Sequence, residues 1–252
     1  MSFSLSKWYL DSVSESGEAA LAYAAELTAG PLRQRYASLL TAAPGSAPRS
    51  HTTLRDARLP VQHGAVVEWA VGPLKVAGCW RARAPAIATC ELLDEPGALT
   101  WHCLQPRAAA EIVCSGHELS GNGYVERLEL TVPPWQLPIE ELRWGRAHVG
   151  EHTWVWIDWR GPRAQRHLFL DGVRVDGEVS DTGVRMSKLT VALTPALTLR
   201  GGDVAGTALA RAPSLRALLE RHKLVLDEHK WLSTASVGRQ RGWAIHEVVR
   251  WR

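Results

Sequence analysis

Glu126 is the residue in this sequence whose type and setting point most directly to chemistry. It lies in "SGNGYVERLELTVPPW", residues 120–135, where Tyr124, Glu126, Leu128 and Leu130 alternate onto one face of a strand-like run. Val125, Arg127, Glu129 and Thr131 fall on the other face. The first face is apolar apart from the tyrosine and the carboxylate. A carboxyl group on a dry face is disfavoured as an anion, so its pKa is expected to rise, leaving a neutral acid able to donate a proton near pH 7. Tyr124 projects beside it as a hydroxyl partner. The packing alternative is an inward glutamate held by an arginine, Arg143 or Arg146, for structure alone.

Two further stretches carry candidate ligand contacts. In "HTWVWIDW", His152, Trp154, Trp156 and Asp158 share one face, and Thr153, Val155, Ile157 and Trp159 form a conventional core face. Two indoles with a histidine and an aspartate make a wall for an apolar or cationic species, or equally a sheet surface covered by another element. In "LTWHCLQP", Trp101 and Cys103 alternate with His102. His148 and His152 have the spacing that chelates zinc on a helix, but Gly150 and the following strand argue against that helix, and no metal site is expected. No P-loop and no G-x-S-x-G elbow occurs. "GNG" and "RGGDVAG" lack a βα context and read as turns.

These residues need elements to position them, and the composition sets what is available. The 252 residues are 46% hydrophobic and 22% charged, an ordinary globular balance. Twenty-nine Lys and Arg against 26 Asp and Glu are spread along the chain, so no concentrated basic face argues for nucleic acid. Twelve tryptophans outnumber four tyrosines and two phenylalanines, which favours indoles as core and as cavity wall. "MSFSLSKWYL" has no basic start followed by a long apolar run, so no signal peptide is expected, and no uncharged apolar run reaches the ~18 residues that span a bilayer. Cys79, Cys90, Cys103 and Cys114 lie apart without a C-x-x-C pair, which predicts free thiols and a cytoplasmic location.

From about residue 50 to 200 the chain reads as strand-length segments between turns, among them "AVVEWAV", "AEIVCS", "TWVWIDW" and "SKLTVALT". Residues 42–50, "AAPGSAPRS", are a linker or loop. That spacing predicts an antiparallel barrel or sandwich. One helix is expected, over residues 214–222, with Pro213-Ser214 at its start and Leu215, Leu218 and Leu219 on one face. "EAALAYAAEL" has helical propensity, while the preceding "KWYLDSVSESGEAA" reads as a hairpin. The closing "RGWAIHEVVRW" faintly echoes "NGYVERLEL", a hint of two similar β units.

The pieces together resemble the hydroxyneurosporene synthase (carotenoid 1,2-hydratase) group and the AttH-like, lipocalin-like calycins around it. "KWYLDSVSESGEAA" is similar to that group's opening hairpin. "LTWHCLQPRAAAEIVCSGHELSGNGYVERL" is similar to its central segment, and Trp144-Gly145, Trp154-x-Trp156 and "GWAIHE" follow in the same order. The resemblance implies an all-β fold of two lipocalin-like β-barrel or sandwich units packed together, residues 1–145 and 146–252, with strands at the N-terminus despite the alanines. It implies a Trp-rich cavity for an isoprenoid or polyene, as in the related tocopherol cyclase and polyene cyclases. Glu126 falls where the group has its proton donor to an alkene, with Tyr124 beside it. Trp101, His102, Trp144, His152, Trp154, Trp156 and Asp158 are then the expected substrate contacts. The expected reaction is a cofactor-independent hydration or cyclisation, with a transient membrane contact to collect substrate. A pericyclic cyclase and a non-catalytic lipid or pigment carrier are the alternatives.

Overall fold

The computed structural model describes residues 3–186, 189–207 and 213–252, nearly all in antiparallel strands. The chain divides into two compact units, Met1–Leu137 and Pro138–Arg252. The division falls in "PPWQLP", where three prolines withhold the amide donors that a continuing strand would need. Residue 145, the boundary expected from sequence, lies inside the first strand of the second unit.

Unit 1 contains β1 (Phe3–Val13), β2 (Ala19–Ala29), β3 (Leu32–Ala42), β4 (Arg49–Thr53), β5 (Val61–His63), β6 (Val66–Val71), β7 (Val76–Ala82), β8 (Cys90–Leu93), β9 (Leu99–Cys114) and β10 (His117–Leu130). They form one curled sheet in the order β4-β3-β2-β1-β10-β9-β7-β6-β5, with β8 paired to β9. Unit 2 contains β11 (Glu141–Val149), β12 (His152–Arg160), β13 (Gln165–Leu170), β14 (Val173–Arg174), β15 (Gly177–Ser180), β16 (Gly183–Met186), β17 (Thr190–Asp203), β18 (Leu226–Val237) and β19 (Gln240–Trp251). Its sheet runs β14-β13-β12-β11-β19-β18-β17-β16-β15. The order is that of unit 1, strand for strand: β11 takes the place of β1, β19 of β10 and β18 of β9. This is the all-β, lipocalin-like architecture expected. The one α-helix among the described residues, α1, spans Pro213–Arg221 and buries Leu219; the side chains of Leu215 and Leu218 lie outside the described residues. No helix among the described residues is long and apolar enough to cross a membrane.

The alanine-rich segment is strand β2, and packing explains why propensity loses. Ala20, Ala22 and Ala24 share one core with Ala37, Ala108 and Ala110, and that core also holds the indoles of Trp8, Trp69 and Trp80. Three indoles fill the interior of a small sheet only if the facing positions are short, so alanine is selected by volume. β1 and β3 then pair both edges of β2 along its whole length. "GNG" is not a turn: Gly121 and Gly123 lie within β10. A Cβ at Gly123 would stand 2.7 Å from Trp80 and 2.8 Å from the Asp11 carbonyl oxygen, so only glycine admits that crossing. Likewise Gly201 and Gly202 are strand residues of β17. Of residues 42–50, Ala42 ends β3, Arg49 and Ser50 open β4, and residues 43–48 connect the two within unit 1.

Candidate functional site

The chemistry-bearing residues of unit 1 collect on the sheet face opposite its indole core. On β10 Tyr124 and Glu126 point to that face, and the antiparallel register sets Tyr9 of β1 across from Glu126 and Asp11 across from Tyr124. Each strand therefore carries a tyrosine two residues before a carboxylate, and pairing places each tyrosine opposite the other strand's acid. Within β1 the Tyr9 hydroxyl donates to Asp11 Oδ2 at 2.9 Å; within β10 the Tyr124 hydroxyl donates to Glu126 Oε2 at 2.7 Å. Trp101 of β9 donates its indole N–H to the same Oε2 at 2.5 Å. Two register shifts flank Val125 where β10 pairs with β9, and they bring Cys103 opposite Glu126 and Trp101 opposite Leu128. Such irregularities re-aim side chains beside a site.

Burial sets the protonation states around the carboxylate. Tyr124 and Asp11 are fully buried, and Trp101 and Cys103 nearly so. Desolvation, helped by Cys103 and Glu126 nearby, pushes the Tyr124 phenol well above its ordinary range. Desolvation likewise pushes up the Cys103 thiol, which is hydrogen-bonded to Tyr124. Both groups are neutral near pH 7, so the Tyr124 hydroxyl keeps its proton and serves as a donor. Three phenol rings line the same face: Tyr9 lies 5.3 Å from Tyr23 and 6.1 Å from Tyr124, centroid to centroid. The cluster thus offers two carboxylates, uncharged donors to fix them, and aromatic surface able to stabilise a developing cation.

The other sequence-predicted residues are placed differently. His102 alternates away from Trp101, bonding Thr89 Oγ1 at 3.0 Å and Glu129 Oε2 at 3.1 Å. His152 is exposed and bonds Asp171 Oδ2 at 2.7 Å. Trp154 and Trp156 do share a face, and that face is the core of unit 2, where they pack with Ala147, Val149 and Leu168. Gly145 leaves the space for Trp156, since a Cβ there would stand 2.3 Å from its indole. Asp158 is buried and accepts from Arg160 and Arg166, each at 2.8 Å. Trp144 lies on the opposite face, 5.7 Å from the Lys230 ammonium. Arg143 is paired with Glu141 and Asp181, and Arg146 reaches the Trp243 carbonyl oxygen. His148 pairs with Thr153 and His152 with Val149 across a hairpin, so the two imidazoles lie on opposite faces of the sheet and not along a helix. Among the described residues no three His, Cys, Asp or Glu side chains gather as a metal site would require.

Tyr9, Asp11 and Cys103 belong to the cluster and were not expected there. The repeated tripeptide, Tyr9-x-Asp11 and Tyr124-x-Glu126, is the signal that identifies the first two once β1 and β10 are paired.

No protein-family model matches the chain, and no curated protein matches it in sequence. Solved structures do match in shape. A putative AttH from Nitrosomonas europaea has TM-score 0.60 at 10% identity, over 98% of this chain and 92% of its own. CghA, in complex with Sch210972, has TM-score 0.58 at 12% identity, over 98% and 88%. Kievitone hydratase from Nectria haematococca has TM-score 0.58 at 13% identity, over 97% and 88%. At these identities the likeness shows the fold, a lipocalin-like fold that a hydratase also has.

Proposed function

We propose that the Glu126 cluster catalyses proton-transfer chemistry on a small apolar alkene, either hydration or cyclisation. The observation that supports this most is the clamp on Glu126 Oε2 by two neutral donors, Trp101 Nε1 and Tyr124 Oη. With Oε2 accepting both, a proton carried by this carboxyl group belongs on Oε1. In the first step that proton adds to one alkene carbon, the π electrons form the new C–H bond, and the other carbon becomes cationic. In this reading the ring faces of Tyr9 and Tyr124 stabilise that cation, the Tyr23 ring having the Lys7 ammonium 5.5 Å from its centroid. In a hydration, water attacks the cation and loses a proton to a carboxylate, restoring the acid. In a cyclisation, a second double bond attacks and a proton is lost from carbon instead. Asp11, held by Tyr9, is a second carboxylate; where it takes the proton, that proton passes on to Glu126 to restore the acid. The solved kievitone hydratase, by its name a hydratase on the same fold, agrees with this class of reaction.

The test is turnover by the intact protein on a panel of isoprenoid and polyene alkenes, followed by mass. A gain of one water marks hydration, and an isomer of unchanged mass marks cyclisation. Saturable binding without any product would make the protein a carrier and remove the catalytic reading.

A further inference from the structure

Unit 1 has a concavity on the other side of its sheet from the Glu126 cluster. It lies where β2 begins, β3 ends and the β9–β10 hairpin turns, and it holds about 280 Å³. Its floor is apolar: Ile112 and Leu119 from the indole core, with Ala20 and Ala42 beside them. The half-buried Cys114 thiol lines one wall. The lip is the β3–β4 connection, the Pro/Gly/Ser-rich stretch singled out in the sequence, with Arg49 beside it at the start of edge strand β4. No carboxylate lies within ion-pair distance of the Arg49 guanidinium among the described residues, whereas the rim's acid, Glu18, already has His117 at 3.7 Å. An apolar floor with an unmatched guanidinium at its lip is complementary to an amphipathic anion. The volume is just below the roughly 300 Å³ at which drug-sized sites begin, which suits a short chain better than a polyene.

We propose that this pocket is a separate ligand site for a small carboxylate of the medium-chain fatty acid type. The chain lies over Ile112, Leu119 and the alanines, and the carboxylate meets Arg49. None of the residues assigned to alkene chemistry lines it, so the proposal stands or falls independently of that reading.

Cys114 supplies a reporter inside the pocket. In the full chain at pH 8, alkylation of each cysteine by iodoacetamide is followed by peptide mass spectrometry while decanoate is titrated below its micelle-forming concentration. Alkylation of Cys114 should slow to a saturable plateau while Cys90, outside the pocket, is unaffected. Arg49→Ala, on an exposed edge strand, should keep the fold and raise the half-saturating concentration about tenfold, the loss expected for a charge-assisted hydrogen bond. Decanol should be weaker by a similar factor. An unslowed Cys114, parallel slowing of Cys90, or equal protection in Arg49→Ala would overturn the proposal. Protection by decylamine in place of decanoate would overturn it too, by assigning the rim to Glu18.

Discussion

Glu126 and Glu247 stand at corresponding strand positions in the two units, and the residue across from each on the next strand differs: a thiol for Glu126, an ammonium for Glu247. Glu126 lies on β10 across from Tyr9, and Glu247 lies on β19 across from Trp144, each facing an aromatic residue of its unit's first strand. On the other side Glu126 faces Cys103, while Glu247 faces Lys230. Lys230 is buried and forms ion pairs with Glu247 and with Glu228, the latter at 3.4 Å; Glu228 also pairs with Arg200 at 3.2 Å. A carboxylate locked to a buried cation is committed to structure. Glu126 accepts from a phenol and an indole, with a thiol opposite, and these are groups that hold a carboxyl in place in either protonation state.

That contrast predicts opposite phenotypes for the same change. Glu126→Gln preserves shape and accepts the same two hydrogen bonds, so melting temperature and ligand binding should stay close to wild type while turnover is lost. Glu247→Gln removes a carboxylate from buried Lys230 and should lower stability by about 3 kcal/mol. Paired chemical denaturation and product assays check both, and undiminished turnover in Glu126→Gln would remove the acid role.

Tyr124→Phe tests the donor alone. It removes the hydroxyl that bonds both Glu126 and Cys103, leaving a buried thiol and one carboxylate oxygen short of a partner. The expected cost is about 1–2 kcal/mol, with turnover reduced less than by Glu126→Gln. A variant as active as wild type would assign Tyr124 to packing.

Gly123→Ala should be far more damaging than an added methyl group normally is. The new Cβ would stand 2.8 Å from both the Asp11 carbonyl oxygen and Ala110, and 2.7 Å from Trp80, whose indole N–H donates to that same carbonyl at 2.7 Å. Overpacking against backbone predicts a loss of about 2–3 kcal/mol, together with loss of activity as β1 and its Asp11 are displaced. Urea unfolding reads the first effect and the alkene assay the second.

The pH dependence of stability should carry a contribution from His246. Burial lowers its pKa from 6.5 to about 4, against a weaker upward pull from Asp181, while its Nε2 lies 2.8 Å from the Ser233 hydroxyl. Because the folded value is the lower one, the unfolded chain binds the extra proton first. Stability is therefore unaffected above about pH 6.5 and falls as pH drops toward 4, by about 3 kcal/mol in total. His246→Gln removes this titration, whereas losses from ion-paired carboxylates such as Glu141 remain in both proteins. Urea midpoints at pH 7 and pH 4 should show the larger drop in wild type, and equal drops would contradict the buried, neutral imidazole.

Alternation in the sequence was enough to put Tyr124 and Glu126 on one strand face, and Trp101 with Cys103 on another, because a period of two is a property of the strand itself. The regular spacing of turns announced an all-β fold for the same local reason. Alternation does not say what fills the space in front of a face: Trp154 and Trp156 share one as expected, and only the packed sheet shows that this face is the core of unit 2. Nor does it show pairing. Tyr9 and Asp11 joined the site through a register between β1 and β10, strands at opposite ends of unit 1, and Cys103 through the irregular pairing around Val125. Local propensity is misleading for the alanines of β2, which answer to the indoles of the unit 1 core, and for "GNG", where Gly123 makes room for Trp80 and Gly121 for the backbone of Val13. Which residues can share a face is written in each strand; which of them meet is decided by strand register and close packing, and those exist only in the folded chain.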